Sequence, residues 1–439
     1  MPQILILADD MTGANDTGCA IHELGIDVCS VNDLSLPAPL AENFQCLSVN
    51  LNSRSLPPED AAQAVNQAAT RFSSPNTILY SKRIDSTLRG NLGSECTALL
   101  DWLDNGASCI VVPSFPTAGR VYQNGIVSVH GIPLNQTAAA QDPEHPICTS
   151  SPAQIFQMQT DLSLRAISLD TVRSPSSLLS QIKSCYEQHV RIILIEAVTL
   201  SDLDQIAEAV IKSEIPFVCV DPGPFTASVA KHLTFFQASS PRALPTPRGH
   251  KTLLVIGSVN AVTRQQVSYL SAHRAMTPVL LDVEQLLAGP SSAQKAVQHA
   301  VQAILRQSSN QDVLLLALST SVHSRRLDFQ AASAKLGCTP REVGQMVNQS
   351  IAQAAALIIG ESDQFSALFS CGGDITAALM RQLKSNCMQV LGESLPLAVC
   401  VQLDIGYYLL TKGGMVGGPD AIDLCVQYLS KLISLSSHS

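Results

Sequence analysis

The feature that most constrains this chain is the alternation of short aliphatic runs with longer amphipathic ones. Residues 3–8, 108–112, 191–195, 217–220, 252–256, 278–281 and 313–318 are short and rich in Val, Ile and Leu. Runs of that length, bounded by turn residues, read as buried strands of a parallel sheet. Helical patterns lie between many of them, at 60–71, 177–188, 202–213, 263–272, 293–307 and 339–359. The last opens on Thr339 and Pro340, an N-cap residue followed by Pro at the first helical position. Strands alternating with helices predict an α/β fold whose sheets are mostly parallel and flanked by helices.

At 439 residues the chain exceeds the size at which one core keeps growing, so two domains are expected. The boundary falls at 238–250, where Pro241, Pro245 and Pro247 interrupt a stretch with no apolar periodicity. That is linker composition, and it separates a domain at 1–240 from one at 250–439. Residues 143–152 read as a surface loop, and no internal sequence repeat is visible.

With 46% apolar and 14% charged residues the chain can bury a large core and has no disordered character. A net charge of −9 argues against nucleic-acid binding, while leaving room for a local basic cluster that takes a small anion. The first residues lack a basic region and their apolar run stops at Asp9 and Asp10, unlike a signal peptide. No apolar stretch reaches the roughly 18 residues of a membrane span. The 13 cysteines are odd in number and show no Cys-x-x-Cys pair, which reads as reduced, mostly buried thiols of a cytoplasmic protein. No metal-ligand spacing is present, so no protein-held metal is expected.

Three segments of the first half stand out. In Ala8-Asp9-Asp10-Met11-Thr12-Gly13-Ala14, a strand runs into paired carboxylates and a glycine turn that starts a helix. Open α/β sheets bind ligands outside the carboxyl ends of their strands, where these groups would lie. An Asp at a helix start is also an ordinary N-cap. After a strand expected at 77–80, Lys82, Arg83, Asp85 and Arg89 cluster in a chain that has few charges. Arg offers a planar fork that matches a carboxylate, and Lys adds a compact charge. Arg54 is a second candidate anion contact. The third segment, 111–120, runs from a strand through Pro113 and Pro116 to Arg120.

The second half carries glycine turns after apolar strands, at Gly257-Ser258, at Cys371-Gly372-Gly373-Asp374 and at Lys412-Gly413-Gly414. Glycine lets backbone N–H groups approach phosphate oxygens, and a helix N-terminus behind it adds a favourable dipole. A helical pattern at 375–383 follows the second turn. Lys412 would offset phosphate charge. The P-loop, the dinucleotide fingerprint and the nucleophile elbow are all absent, so any nucleotide is held by a less common fold.

These segments together resemble the four-carbon acid sugar kinases, and they span nearly the whole chain in the same order. The Lys-Arg-x-Asp-Ser-Thr-x-Arg-Gly run at 82–90 is the most specific of them. The resemblance implies a substrate-binding first domain, an ATP-binding second domain and an active site in the cleft between them. It implies ATP- and Mg²⁺-dependent phosphorylation of the 4-hydroxyl of a C4 sugar acid. Residues 221–226 look more like the D-threonate kinases than the 3-oxo-tetronate kinases, which makes D-threonate the leading substrate; D-erythronate and 3-oxo-tetronate are the alternatives, and a non-catalytic sugar-acid binding protein is the non-enzyme alternative. Substrate contacts carried over to this chain are Asp9, Arg54, Lys82, Arg83, Ile84 and Asp85. Nucleotide contacts are Ser258, Cys371, Gly372, Gly373, Asp374, Lys412, Gly413 and Gly414, with Gly413 standing where many relatives have Ser. On this reading Lys82 and Arg83 anchor the substrate carboxylate and Asp9 or Asp10 accepts the proton from the attacking hydroxyl. A homodimer is compatible with an enzyme of this size.

Overall fold

The computed structural model describes residues 2–35, 37–38, 41–141, 146–233, 244–323 and 328–436. The chain falls into two compact units, Met1–Ser240 and Pro241–Ser439. Of the expected linker at 238–250, residues 238–243 lie outside the described residues, as do 143–145 of the expected surface loop.

In the first unit the strands are β1 (Ile4–Ala8), β2 (Val28–Val31), β3 (Cys46–Asn50), β4 (Leu79–Arg83), β5 (Ser108–Val111), β6 (Arg120–Gln123), β7 (Ile126–Val129), β8 (Ile132–Pro133), β9 (Leu164–Ile167), β10 (Ile192–Ile195) and β11 (Phe217–Asp221). The main sheet runs β2-β3-β1-β4-β11-β5-β10-β9 and every pairing in it is parallel. Helices Met11–His22, Pro224–His232, Leu200–Ser213 and Pro175–Glu187 pack side by side, and Pro58–Phe72, Leu92–Leu103 and Pro152–Gln159 form a second group. Strands β6, β7 and β8 make a small antiparallel sheet of their own.

In the second unit the strands are β12 (Lys251–Ile256), β13 (Val279–Leu281), β14 (Val313–Leu318), β15 (Phe365–Cys371), β16 (Cys387–Leu395), β17 (Ala398–Leu403) and β18 (Tyr408–Lys412). Their order is β13-β14-β12-β15-β18-β17-β16, parallel from β13 to β18 and antiparallel from β18 to β16. Alternate residues such as Leu254, Ile256, Phe369, Cys371 and Leu410 face helices Ala261–His273 and Ala421–Ser436, building a core with Val267, Leu270, Cys425 and Leu429. The period of two follows from the pleat, which sends neighbouring side chains to opposite faces.

Two strands are hard to read because polar and charged letters occupy buried positions. In β3, Ser48 is fully buried and its hydroxyl donates to the Ala14 carbonyl at 2.7 Å, so a polar letter occupies a core position. β4 also differs from expectation: it begins at Leu79 and continues through Lys82 and Arg83 instead of stopping at 80. A lysine can sit inside a buried strand when its charge is met there, and Glu95 meets this one. Among the free cysteines, Cys148 is exposed, Cys338 is half-buried and the others are buried. Among the described residues, no helix is long and apolar enough to cross a membrane.

Candidate active site

β1 ends at Ala8, level with Asn50 on β3 and with Arg83 on β4. The chain leaves β1 toward β2 and β3 on one side and later places β4 on the other. This is a topological switch point, where open α/β sheets form their binding crevice. Asp9 and Asp10 follow Ala8 directly. Asp10 caps helix Met11–His22, accepting from the Gly13 N–H at 2.8 Å. The Asp9 carbonyl accepts from the Ser53 N–H at 3.0 Å, which draws in the loop after β3 and with it Arg54.

The side chains then interlock. Arg54 donates from Nε to Asp9 Oδ2 at 2.8 Å, and its Nη1 and Nη2 lie 2.9 Å from Asp10 Oδ2 and 3.5 Å from Asp85 Oδ1. Arg83 Nη1 reaches Asp9 Oδ1 at 3.0 Å and Asp10 Oδ1 at 3.2 Å. Arg89 grips Asp85 from Nε at 2.6 Å and from Nη2 at 3.1 Å. Gly13 makes room for this: a Cβ there would stand 2.0 Å from Arg83 Cζ. Asp9 is buried, whereas the Asp10 side chain is 26% exposed.

Lys82 and Arg83 are neighbours on a strand and so point to opposite faces. Arg83 lies against helix Met11–His22. Lys82 is fully buried on the other side, with Nζ 3.1 Å from Glu95 Oε2 and donating to the Arg83 carbonyl at 2.8 Å. The expected pair of anchors therefore does not converge on one point. Ile84 is buried and contributes a backbone N–H to the Asp221 carbonyl at 3.1 Å. Glu95 escapes sequence reasoning because nothing distinguishes one acid on an apolar helix. Arg89 stands out among the charges of its segment, yet the family resemblance does not carry it over as a site residue.

Electrostatics follow the geometry. Burial pushes the Asp9 carboxyl up, but the charges of Arg54, Arg83 and Lys82 outweigh it and hold the group below its ordinary value. Asp85 behaves likewise, with burial opposed by Arg54 and Arg89 and a net downward shift. Burial would lower Arg54 and Arg83, yet Asp10 and Asp9 hold both above the usual guanidinium value. Glu95 is pushed up by burial despite Lys82.

In the second unit Ile256, Cys371 and Lys412 are level across β12, β15 and β18. The three glycine turns therefore leave the sheet side by side. Gly372 has φ +117°, its N–H donates to the Lys412 carbonyl at 3.0 Å, and it caps helix Gly373–Leu383 with Asp374 exposed in the first turn. Gly414 packs so tightly that a Cβ would lie 2.2 Å from Ser258 Oγ. Thr263 Oγ1 donates to the Gly414 carbonyl at 2.8 Å, and Gln266 Nε2 donates to the Val416, Gly417 and Gly418 carbonyls at 2.9, 3.1 and 2.9 Å. Sequence reasoning misses both. Their signal is positional: they occupy the buried stripe of Ala261–His273 with Val267 and Leu270. Lys412 is buried, donating from Nζ to the Gly413 carbonyl at 3.1 Å and to Cys371 Sγ at 3.4 Å. Among the described residues it has no carboxylate partner. No group of His, Cys, Asp or Glu among those residues is arranged to hold a metal.

Comparison with known proteins matches one family model in each half of the chain. A sugar-binding N-terminal domain family matches residues 4–229, and a nucleotide-binding C-terminal domain family matches residues 253–422. A D-erythronate kinase of Heliobacterium modesticaldum is 33% identical, covering 99% of this chain and 98% of the relative. A D-threonate kinase of Salmonella typhimurium is 28% identical, covering 98% and 99%. The fold is that of a Haemophilus influenzae protein of known crystal structure, with a TM-score of 0.74 at 20% identity over 97% of this chain and 100% of that one. Domains of these two kinds, together with kinase relatives that match over the whole length, define a phosphotransferase that acts on a hydroxyl group. The chain belongs to the four-carbon acid sugar kinase family.

Proposed function

We propose that this protein transfers the γ-phosphoryl group of ATP to the 4-hydroxyl of D-erythronate or D-threonate. The observation that carries the reading is the interlocked cluster of Asp9, Asp10, Arg54 and Arg83 in the sugar-binding domain. Carboxylates fixed by guanidiniums are preorganised to read hydroxyl groups. The whole-length likeness to a D-erythronate kinase supports a C4 acid. Residues 221–226 give no ground for preferring threonate. The Asp221 carboxylate accepts from the Gly223 and Phe225 N–H groups, both at 2.7 Å, and from the Thr226 hydroxyl, so it is engaged in capping a helix.

Asp10 is the group assigned to the reacting hydroxyl, because its carboxylate is the more exposed of the pair. It accepts the hydroxyl's hydrogen bond and takes the proton as the oxygen attacks. Asp9 keeps Arg54 and Arg83 in place, and Lys82 acts from behind the sheet through its charge on Asp9. Arg54, Arg83 and Asp85 orient the substrate, with Ile84 shaping the floor beneath it.

The loops at Ser258, Cys371–Asp374 and Lys412–Gly414 fit the phosphates of ATP. They offer N–H groups at close-packed glycines, a helix N-terminus and a buried ammonium that has no carboxylate partner among the described residues. ATP supplies the phosphoryl group, and Mg²⁺ carried on its phosphates neutralises developing charge. Dependence on ATP supports a cytoplasmic location.

A panel of D-erythronate, D-threonate and 3-oxo-tetronate with coupled ADP detection tests the substrate. Turnover of either dihydroxy acid is expected. Preference for the oxo acid would move the assignment, and no turnover on any member would remove it. Asp10→Asn should lower kcat by about 10²- to 10⁴-fold with a smaller change in KM. If Asp9→Asn and Asp10→Asn both keep near-normal kcat, neither is the base.

A further inference from the structure

Arg54, Arg83 and Arg89 are each met by carboxylates within their own cluster. Arg120 is not. Among the described residues it has no ion pair; its Nη1 donates to the Ala118 carbonyl at 3.0 Å, and its Nε is buried without any partner. Arg120 is half-buried, and a buried guanidinium donor left unused is costly unless a ligand completes it.

Arg120 stands beside the site because of where its hairpin is rooted. It opens β6 and pairs with Phe115, which follows the carboxyl end of β5. β5 lies two strands from β4, across β11, or about 10 Å at the usual strand spacing. The charges of Asp85, Asp16, Arg83 and Arg89 act on Arg120 through space, though burial is the larger influence on it and lowers it. The hairpin is held firmly. Tyr122 and Ala197 exchange backbone hydrogen bonds at 3.2 and 3.0 Å, and the Gly125 N–H donates to Glu196 Oε1 at 2.7 Å. Gly119, at φ +69°, provides the turn before Arg120 and leaves no room for a Cβ against the His130 ring.

We propose that Arg120 binds the carboxylate of the sugar acid and thereby selects acids over the corresponding neutral polyols. This rests on the sugar-acid reading above and assigns its carboxylate subsite. Arg54 and Arg83 then serve the hydroxyl end by positioning Asp9 and Asp10.

The test compares wild type, Arg120→Met and Arg120→Lys in the full chain. Binding of D-erythronate, D-threonate, erythritol and threitol is measured by calorimetry, alongside KM for each acid and for ATP. Loss of a charge-assisted bond should weaken acid binding by about ten- to a hundredfold. It should leave polyol binding and the KM for ATP unchanged, and Lys should restore part of the acid affinity. Acid binding within twofold of wild type in Arg120→Met would overturn the inference, as would equal loss for acids and polyols, which marks a structural role. Because binding is read without turnover, a wild type that binds acids through Arg120 but phosphorylates none sinks the kinase substrate and not the subsite. A wild type that binds no short hydroxy acid sinks both.

Discussion

Replacing Gly13 with Ala sets two local effects against each other. Gly13 is in the first turn of helix Met11–His22, where Ala would ordinarily gain up to about 1 kcal/mol over Gly. The added Cβ, however, would stand 2.0 Å from both Cζ and Nη1 of Arg83 and 2.3 Å from its Nε. The guanidinium is the far end of a flexible side chain, so the fold survives by moving it, at the expense of its contacts with Asp9 and Asp10. Breaking a buried pair costs about 3–5 kcal/mol. Here Asp10 is partly exposed and Asp9 keeps Arg54, so a discounted loss of about 1–3 kcal/mol is appropriate. Set against the full helix gain, the net expectation is a destabilisation of about 0–2 kcal/mol together with reduced kcat/KM for the sugar acid. In an Arg83→Ala background the clash is gone and the same substitution should be neutral or stabilising by up to about 1 kcal/mol. Urea midpoints for the four variants of this cycle measure the coupling. Equal costs in both backgrounds would show that Gly13 is not there for Arg83, and the account of the cluster would fail with it.

Lys412→Met should raise the KM for ATP by about ten- to a hundredfold, as expected for loss of a charge-assisted contact. It should leave the KM for the acid unchanged. Because it also removes a buried charge that has no carboxylate partner among the described residues, the unliganded variant should melt at the same or a higher temperature than wild type, and a large fall in Tm would contradict the charge assignment. Asp9 and Asp85 have folded-state values below their unfolded ones, so the stability they contribute is present above about pH 4 and lost as pH falls further. Asp85→Asn should flatten the acid limb of a urea-midpoint profile below pH 4, and an unchanged limb would count against the pairing with Arg54 and Arg89.

Much of this candidate site is legible in the amino-acid sequence, because strand ends and glycine turns are written locally. Asp9-Asp10, Arg54 and the 82–90 run are short stretches of letters whose chemistry needs no partner to be recognised. What stays hidden is of two physical kinds. Direction is one: Lys82 and Arg83 are adjacent letters, but a strand sends them to opposite faces, and only the burial of Glu95 on helix Leu92–Leu103 tells which face is which. Packing partners are the other. Thr263 and Gln266 matter through carbonyls about 150 residues away, which no local pattern encodes. Tertiary placement also disguises strands such as β3, where a buried hydroxyl satisfied by a helix carbonyl makes a core position look polar.

Topology explains why both sites sit where they do. The first four strands of each unit follow one winding: β2-β3-β1-β4 in the first and β13-β14-β12-β15 in the second. No sequence repeat accompanies it, so the common winding belongs to the fold and the contrast lies in the residues that fill the two switch points. In the sugar-binding unit, carboxylates meet Arg54, Arg83 and Arg89, whereas Arg120, rooted after β5, has no ion pair among the described residues. Matched charges fix hydroxyl-reading groups without adding net attraction, and on the proposal above the unmatched one pairs with the single carboxylate of a sugar acid. In the nucleotide-binding unit the turns carry backbone donors and a lysine that no carboxylate offsets among the described residues. A polyphosphate needs that uncompensated field and, for the rest of its charge, a cation that arrives with it. On these proposals, charge left unmatched at one switch point and beside the other is the property by which the two crevices distinguish their ligands.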